Sequence, residues 1–292
     1  MNSRRDFIKN LGLVTAGVAF APSLDLFAAK KSWFDISLAQ WSLHKTLFKG
    51  DLKNIDFPQF TAEKFGIYGV EYVNQFFKDK ANDMTYLKDL KNRAKSSGVK
   101  NVLIMVDGEG NLGDEDNAKR LKSVENHYKW IDAANFLGCT SIRVNAAGNG
   151  AKEDVAKRVV DSLSTLADYG KKAKINVIVE NHGGISSHGD WLSGVLKSVG
   201  KKNCGALPDF GNFYEYDRYQ GVIDLMPYAK GVSAKSNVFD ASGNERNIDY
   251  AKMMKIVKDA KYKGFVGIEY EGSELSEVDG IIATKKLLER FK

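Results

Sequence analysis

The residues of this chain that could do chemistry stand at the ends of short apolar runs. Residues 175–184 read INVIVENHGG, in which Ile178 and Val179 give way at once to Glu180, Asn181 and His182. The pattern recurs in GALPDF with Asp209, in GVSAK with Ser233 and Lys235, and in FVGIEYEG with Glu269 and Glu271. A carboxylate at the end of an apolar strand is costly to bury as an ion unless a cation or hydrogen bonds meet it. A single such acid is explained as well by a salt bridge or a helix cap as by function. Glu180, Asp209 and Glu269 occupy equivalent places and would repel one another unless a divalent cation or Lys235 lay among them. Two chemistries suit such a group: proton transfer between an acid and a base, and coordination of a hard metal ion.

Other polar residues close the remaining runs: Gln40 and His44 after the first, Glu71 and Asn74 after the second, Asp107 and Glu109 after the third, Arg143 and Asn145 on the fourth, and Asn212 after the sixth. Side chains alternate along a strand, so Glu180 is expected to share a face with His182, Ser233 with Lys235, and Glu269 with Glu271. Of the four histidines, His127 falls inside a helical segment and His188 in a loop or helix start. His44 fits substrate contact and plain exposure equally, and His182 has the strongest case because it shares a strand end with Glu180. Arg143 needs an anionic partner, either Glu180 on the adjacent strand or a substrate. Trp41, Phe76, Phe77, Phe210, Phe213 and Tyr214 flank the same ends, where stacking on a sugar ring and packing under loops are both open.

The elements that must position these residues alternate. Eight strand-like runs are separated by segments whose apolar residues recur at three and four, several of them ending on glycine. Eight strand–helix alternations in a chain of this length predict an α/β fold, a closed (β/α)8 TIM barrel, whose mouth is built from the C-terminal ends of the strands. No glycine-rich dinucleotide fingerprint follows the first strand, which argues against an open doubly wound sheet. The chain of 292 residues is 43% hydrophobic, enough for a large core, and its net charge of +6 is spread among acids along helical segments. That distribution describes solvated helix faces and no nucleic-acid surface.

Residues 1–29 differ from the rest. SRRDFIK leads into LGLVTAGVAFAPSL, the order of a twin-arginine export signal, with Ala28 and Ala29 beside an expected cleavage point. Leu26 and Phe27 make a poor small-residue site, so retention as an uncleaved anchor stays open. The expectation is a periplasmic or otherwise exported protein with one barrel domain over 30–292 and no membrane contact in its mature form. Cys139 and Cys204 form neither a CxxC nor a zinc spacing and are expected to be buried.

VIVENHGG, LPDFGNF, GVSAKS and GFVGIEYEG followed by IIATKKLLER, together with LAQWSLHKTLF and IMVDGEGNLG, carry a resemblance over residues 34–292. The chain resembles the xylose-isomerase-like TIM barrels of the sugar phosphate isomerase/epimerase type, in an exported bacterial branch. The resemblance implies a divalent metal at the barrel mouth, with Glu180, Asp209 and Glu269 matching three ligands. The fourth ligand, the histidine of an HxK triplet on strand seven, is replaced: the triplet reads Ser233, Ala234, Lys235. A further histidine of the family is Asn212 here. Three carboxylates suit Mg²⁺ or Mn²⁺ better than Zn²⁺. Either His182 serves as a substitute ligand or Lys235 supplies the positive charge and leaves the site metal-free.

The implied reaction removes a proton beside the carbonyl of a sugar to give an enediolate, with Glu180 and Glu269 as base and acid and Lys235 assisting. Gln40, His44, Glu71, Asp107, Arg143, Asn145 and Asn212 are the expected substrate contacts. Isomerisation, epimerisation and elimination share this first step. Export favours a free sugar or keto-sugar, a small-molecule carbohydrate, over a sugar phosphate. One alternative is a lyase or hydratase acting on 3-keto-glycosides or derived unsaturated sugars. Another is a non-catalytic carbohydrate-binding barrel, of which Ser233 and Asn212 would be signs of decay. An apurinic endonuclease would need more histidines. The oligomeric state is left open.

Overall fold

The computed structural model describes residues 32–292. Eight parallel strands are β1 (Asp35–Ala39), β2 (Gly69–Val73), β3 (Lys100–Met105), β4 (Ser141–Asn145), β5 (Asn176–Glu180), β6 (Cys204–Leu207), β7 (Val232–Ser236) and β8 (Phe265–Tyr270). They alternate with helices α1 (His44–Lys49), α2 (Phe57–Phe65), α3 (Met84–Ser96), α4 (Asn117–Leu137), α5 (Lys152–Lys172), α6 (Gly189–Val199), α7 (Arg218–Leu225), α8 (Tyr250–Asp259) and α9 (Glu277–Glu289). The sheet runs β6-β5-β4-β3-β2-β1-β8-β7. Its two outer strands meet beyond the end of β6, where Ser233 N donates to Pro208 O at 2.9 Å and Phe210 N to Ser233 O at 3.1 Å. The expected (β/α)8 TIM barrel is therefore what the chain forms.

Local chemistry accounts for the elements. The strands are buried on both faces, as parallel strands covered by helices must be, and so read as nearly continuous apolar runs. Asp83, Asp116, Asp217, Asp249 and Ser276 each accept a backbone N–H in the first turn of a helix. Gly66, Gly138 and Gly200 close α2, α4 and α6 in the left-handed conformation. Ala39, Val73, Leu103, Met105, Ile178 and Leu207 form the inner plug of the barrel, and a larger cluster lies between strands and helices.

The barrel interior also holds a buried acid. Glu71 of β2 accepts the Ser37 hydroxyl on Oε1, while its Oε2 has no hydrogen bond. Space for it comes from Gly267 of β8, where a Cβ would lie 2.5 Å from Glu71 Oε1. Burial pushes the Glu71 carboxyl up to about 7. Cys139 and Cys204 are free and buried, as expected. The expected signal at 1–29 lies outside the described residues; among the described residues no helix is long and apolar enough to cross a membrane.

Candidate active site

The C-terminal ends of β5, β6 and β8 bring Glu180, Asp209 and Glu269 together. One carboxylate oxygen from each lies within 4.8 Å of the other two, and all three residues are buried. Glu180 is the last residue of β5, and Asp209 stands two residues past β6 in a tight turn. Asp209 Oδ1 accepts the N–H groups of Gly211 and Asn212, each at 2.8 Å. Asn181 holds the Asp209 peptide from the neighbouring strand end, donating to its carbonyl at 3.0 Å and accepting its N–H at 2.8 Å. Gly211 is required by the packing: a Cβ there would stand 2.5 Å from Lys235 Cγ.

Strand β7 inserts Ser233 and Lys235 among the acids. Ser233 Oγ lies 2.7 Å from Asp209 Oδ2 and 2.8 Å from Glu269 Oε2. A hydroxyl has one proton to give, so both short contacts are hydrogen bonds only when one of the two acids carries a proton. Lys235 Nζ lies 3.1 Å from Glu269 Oε1, 2.9 Å from Glu271 Oε1 and 3.9 Å from Asp209 Oδ2. On the opposite side, Arg143 pairs with Asp107 at 2.6 Å, and Asn145 donates to the same Asp107 oxygen at 2.8 Å. Arg143 Nε is 2.9 Å from Glu180 Oε2, yet its N–H does not point at that oxygen. The contact is therefore coulombic, and both atoms lack a hydrogen bond. Asn212 Nδ2 reaches Glu180 Oε1 only at 3.4 Å.

Charge around the cavity is unbalanced. Five carboxylates, Asp107, Glu180, Asp209, Glu269 and Glu271, meet two cations, Arg143 and Lys235. Burial, reinforced by Glu269 and Asp209 against the pull of Arg143, raises Glu180 well above the usual carboxylate range. Burial likewise raises Asp209. Burial opposes ionisation of Glu269 as well, but Lys235, the Ser233 hydroxyl and Arg143 outweigh it and hold Glu269 low. Burial also opposes the Asp107 anion, and Arg143 wins, bringing it down to about 2. Lys235 resists the burial penalty because Asp209, Glu269 and Glu271 surround it, so its pKa lies well above the ordinary lysine value. Two of the acids thus hold protons more strongly than a third.

The donors fit a divalent cation. All are oxygens, three carboxylates converge, Glu180 Oε2 is buried without a hydrogen bond, and negative charge is in excess. Glu180, Asp209 and Glu269 could hold such an ion. His182 is not among them. β5 ends at Glu180, so strand alternation no longer carries His182 to the same point; its N–H bonds Ser186 Oγ, and its side chain stands exposed on the cavity wall. Crowding by its surroundings and then Arg143 lower its pKa.

A cavity of about 390 Å³ opens above the acids, with Trp41, Gln75, His182, Tyr214, Lys235 and Glu271 on its wall alongside Asp107, Arg143, Asn212 and Glu269. Three expected substrate contacts are elsewhere. Gln40 is buried, donating to Asn54 and accepting the Val73 N–H. His44 stacks behind Trp41, bonded to the Trp41 carbonyl and beside Glu277. Glu71 lies inside the barrel against Ser37. In each case the polar group bonds neighbouring protein atoms away from the cavity. Asn145 lines an adjoining cavity that shares His182. Gln75 was not among the sequence candidates; it follows β2 in a short turn, where no periodicity marks it.

Residues 61–291 match the family model described as xylose isomerase-like TIM barrel. Among solved structures, the chain is similar to an IolI protein with a bound zinc atom (TM-score 0.71, 14% identity, covering 88% of this chain and 98% of that one). It is similar to a D-psicose 3-epimerase crystallised in the presence of D-fructose (0.70, 14%, 88% and 99%). It also resembles a sugar phosphate isomerase/epimerase from Parabacteroides distasonis (0.68, 15%, 91% and 97%). At these identities the likeness is one of fold. No curated protein matches the sequence.

Proposed function

Because the chain belongs to the xylose isomerase-like TIM barrel family, we propose that it is a sugar isomerase or epimerase that removes a proton beside the carbonyl of a free sugar or keto-sugar. The observation that carries this is the convergence of Glu180, Asp209 and Glu269 on one another from three strand ends at the barrel mouth, with Glu269 on the cavity wall. Glu269, held ionised by Lys235 and Ser233, is the base. Glu180, at the end of β5, is the group that returns a proton from another direction. Delivery to the opposite face of the same carbon gives an epimer, and delivery to the neighbouring carbon an isomer. Asp107 and Arg143 lock each other on the cavity wall and present hydrogen-bonding groups to sugar hydroxyls. A Mg²⁺ or Mn²⁺ ion held by Glu180, Asp209 and Glu269 would supply Lewis-acid stabilisation of the charge developing on the carbonyl oxygen.

Charge pairing supports an unphosphorylated substrate. Both basic side chains on the cavity wall are engaged, Arg143 with Asp107 and Glu180, Lys235 with Glu269 and Glu271, so a phosphate would meet no free cation. A lyase acting on 3-keto-glycosides shares the first step, and a second cleft beside the mouth favours it by offering room for a leaving group. Residues 1–29 are proposed to direct export to the periplasm; transfer of a fused reporter there, abolished by replacing Arg4 and Arg5 with Lys, tests this.

The central test follows solvent deuterium into a panel of keto-sugars while the purified protein is assayed for bound metal. Exchange that falls at least about a hundredfold in Glu269→Gln is expected. Persistent exchange in that variant removes Glu269 from the base role, and tight sugar binding with no exchange points to a carbohydrate-binding barrel instead.

A further inference from the structure

We propose that the substrate is a keto-glycoside whose aglycone is an aromatic ring, seated in a second cleft beside the barrel mouth, past Trp41 and Phe76; this rests on the keto-sugar reading above. The cleft has a volume of about 520 Å³ and lies between α1 with the turn after it and the segment joining β2 to α3. Its floor is apolar, formed by Leu47, Leu52, Phe76 and Phe77. Phe48 is 60% exposed above it, its ring 5.0 Å from that of Phe76 and 6.0 Å from that of Trp41. Trp41 and Phe76 are 6.2 Å apart and form the partition, Trp41 facing the reaction cavity and Phe76 the cleft.

A single exposed phenylalanine needs no explanation, but Phe48 and Phe76 side by side on one concave wall, with Trp41 behind them, are a stacking surface. Gln75 links the two cavities, lining both, and among the described residues its exposed amide makes no hydrogen bond. It is placed to meet a glycosidic oxygen or a hydroxyl of a ligand that spans the partition. Lys53, Asn54, Lys78, Asp79 and Lys80 also line the cleft and could meet the hydroxyls of a second sugar, so it is the neighbouring Phe48 and Phe76 rings that favour an aromatic occupant. A flat aromatic ring gains by burial and by stacking on Phe48 and Phe76.

The test uses the full chain and pairs of phenyl and methyl β-glycosides of glucose, galactose and xylose, with binding measured by calorimetry. For at least one sugar the phenyl glycoside should bind about tenfold more tightly than its methyl partner. Phe48→Ala should remove that advantage without changing methyl glycoside affinity, and Phe48→Tyr should keep it; Phe48 is exposed enough for both variants to fold. Equal affinity within every pair, or a phenyl advantage that survives Phe48→Ala, overturns the proposal. Failure of the sugar reading would show separately, as no deuterium exchange into any keto-sugar while the phenyl advantage persists.

Discussion

Lys235 occupies the position of greatest electrostatic consequence in the site, with Asp209, Glu269 and Glu271 all within 3.9 Å of its ammonium. Its charge partly offsets the crowded acids. Lys235→Met would leave those acids facing only Arg143, and loss of one member of a buried charge cluster costs about 3–5 kcal/mol. Thermal unfolding should therefore show a lowered midpoint, and millimolar Mn²⁺ should raise it more in the variant than in the wild type. No Mn²⁺-dependent recovery would mean that the carboxylates do not form a cation site. At this scale the sequence was informative about residue type: Glu180, Asp209, Glu269 and Lys235 are drawn from strand ends, and they meet. It was misleading for Gln40, His44 and Glu71, because whether a polar group faces the cavity or bonds a neighbouring strand depends on partners such as Asn54, Glu277 and Ser37 that adjacency in sequence does not reveal.

Among the elements, β8 carries one acid at its mouth end, Glu269, and below it a glycine, Gly267, that makes room for another. Gly267 admits the Glu71 carboxylate into the barrel, and a methyl group there would stand 2.5–2.7 Å from both Glu71 oxygens. Gly267→Ala should destabilise the fold by about 1–3 kcal/mol through overpacking. In a Glu71→Ala background the same change should cost much less, and urea midpoints for the four proteins of the cycle measure the difference. Equal costs in the two backgrounds would show that Glu71 is not what Gly267 accommodates. Helix and strand identities were legible from periodicity and caps, but His182 shows where that legibility stops. Alternation predicts its direction only while the strand continues, and β5 ends two residues earlier, at Glu180.

For the molecule as a whole, buried acids set the pH dependence of stability. Glu71 has a folded pKa of about 7 against an ordinary 4.5, so between these values the folded state binds more protons than the unfolded one. Stability should therefore fall as pH rises through that window, by at most about 3 kcal/mol from this group. Glu180 and Asp209, also raised, act in the same direction. Asp107 acts oppositely, adding stability above its ordinary pKa of 3.8 that is lost as pH falls towards 2. Denaturation midpoints across pH 5–8 should decline in the wild type and decline less steeply in Glu71→Gln; parallel slopes would contradict the assignment. The alternation of eight apolar runs with helical segments determined the barrel from the sequence alone, because backbone hydrogen bonding and burial of strand faces act through local pattern. The resemblance carried by VIVENHGG, LPDFGNF, GVSAKS and GFVGIEYEG likewise placed three acids at the mouth. Only the tertiary structure decided which polar groups reach the cavity, that Ser233 and Lys235 stand among the acids, and that Gln75 joins two cavities, because those outcomes depend on strand register, on the ends of strands, and on neighbours far apart in the chain.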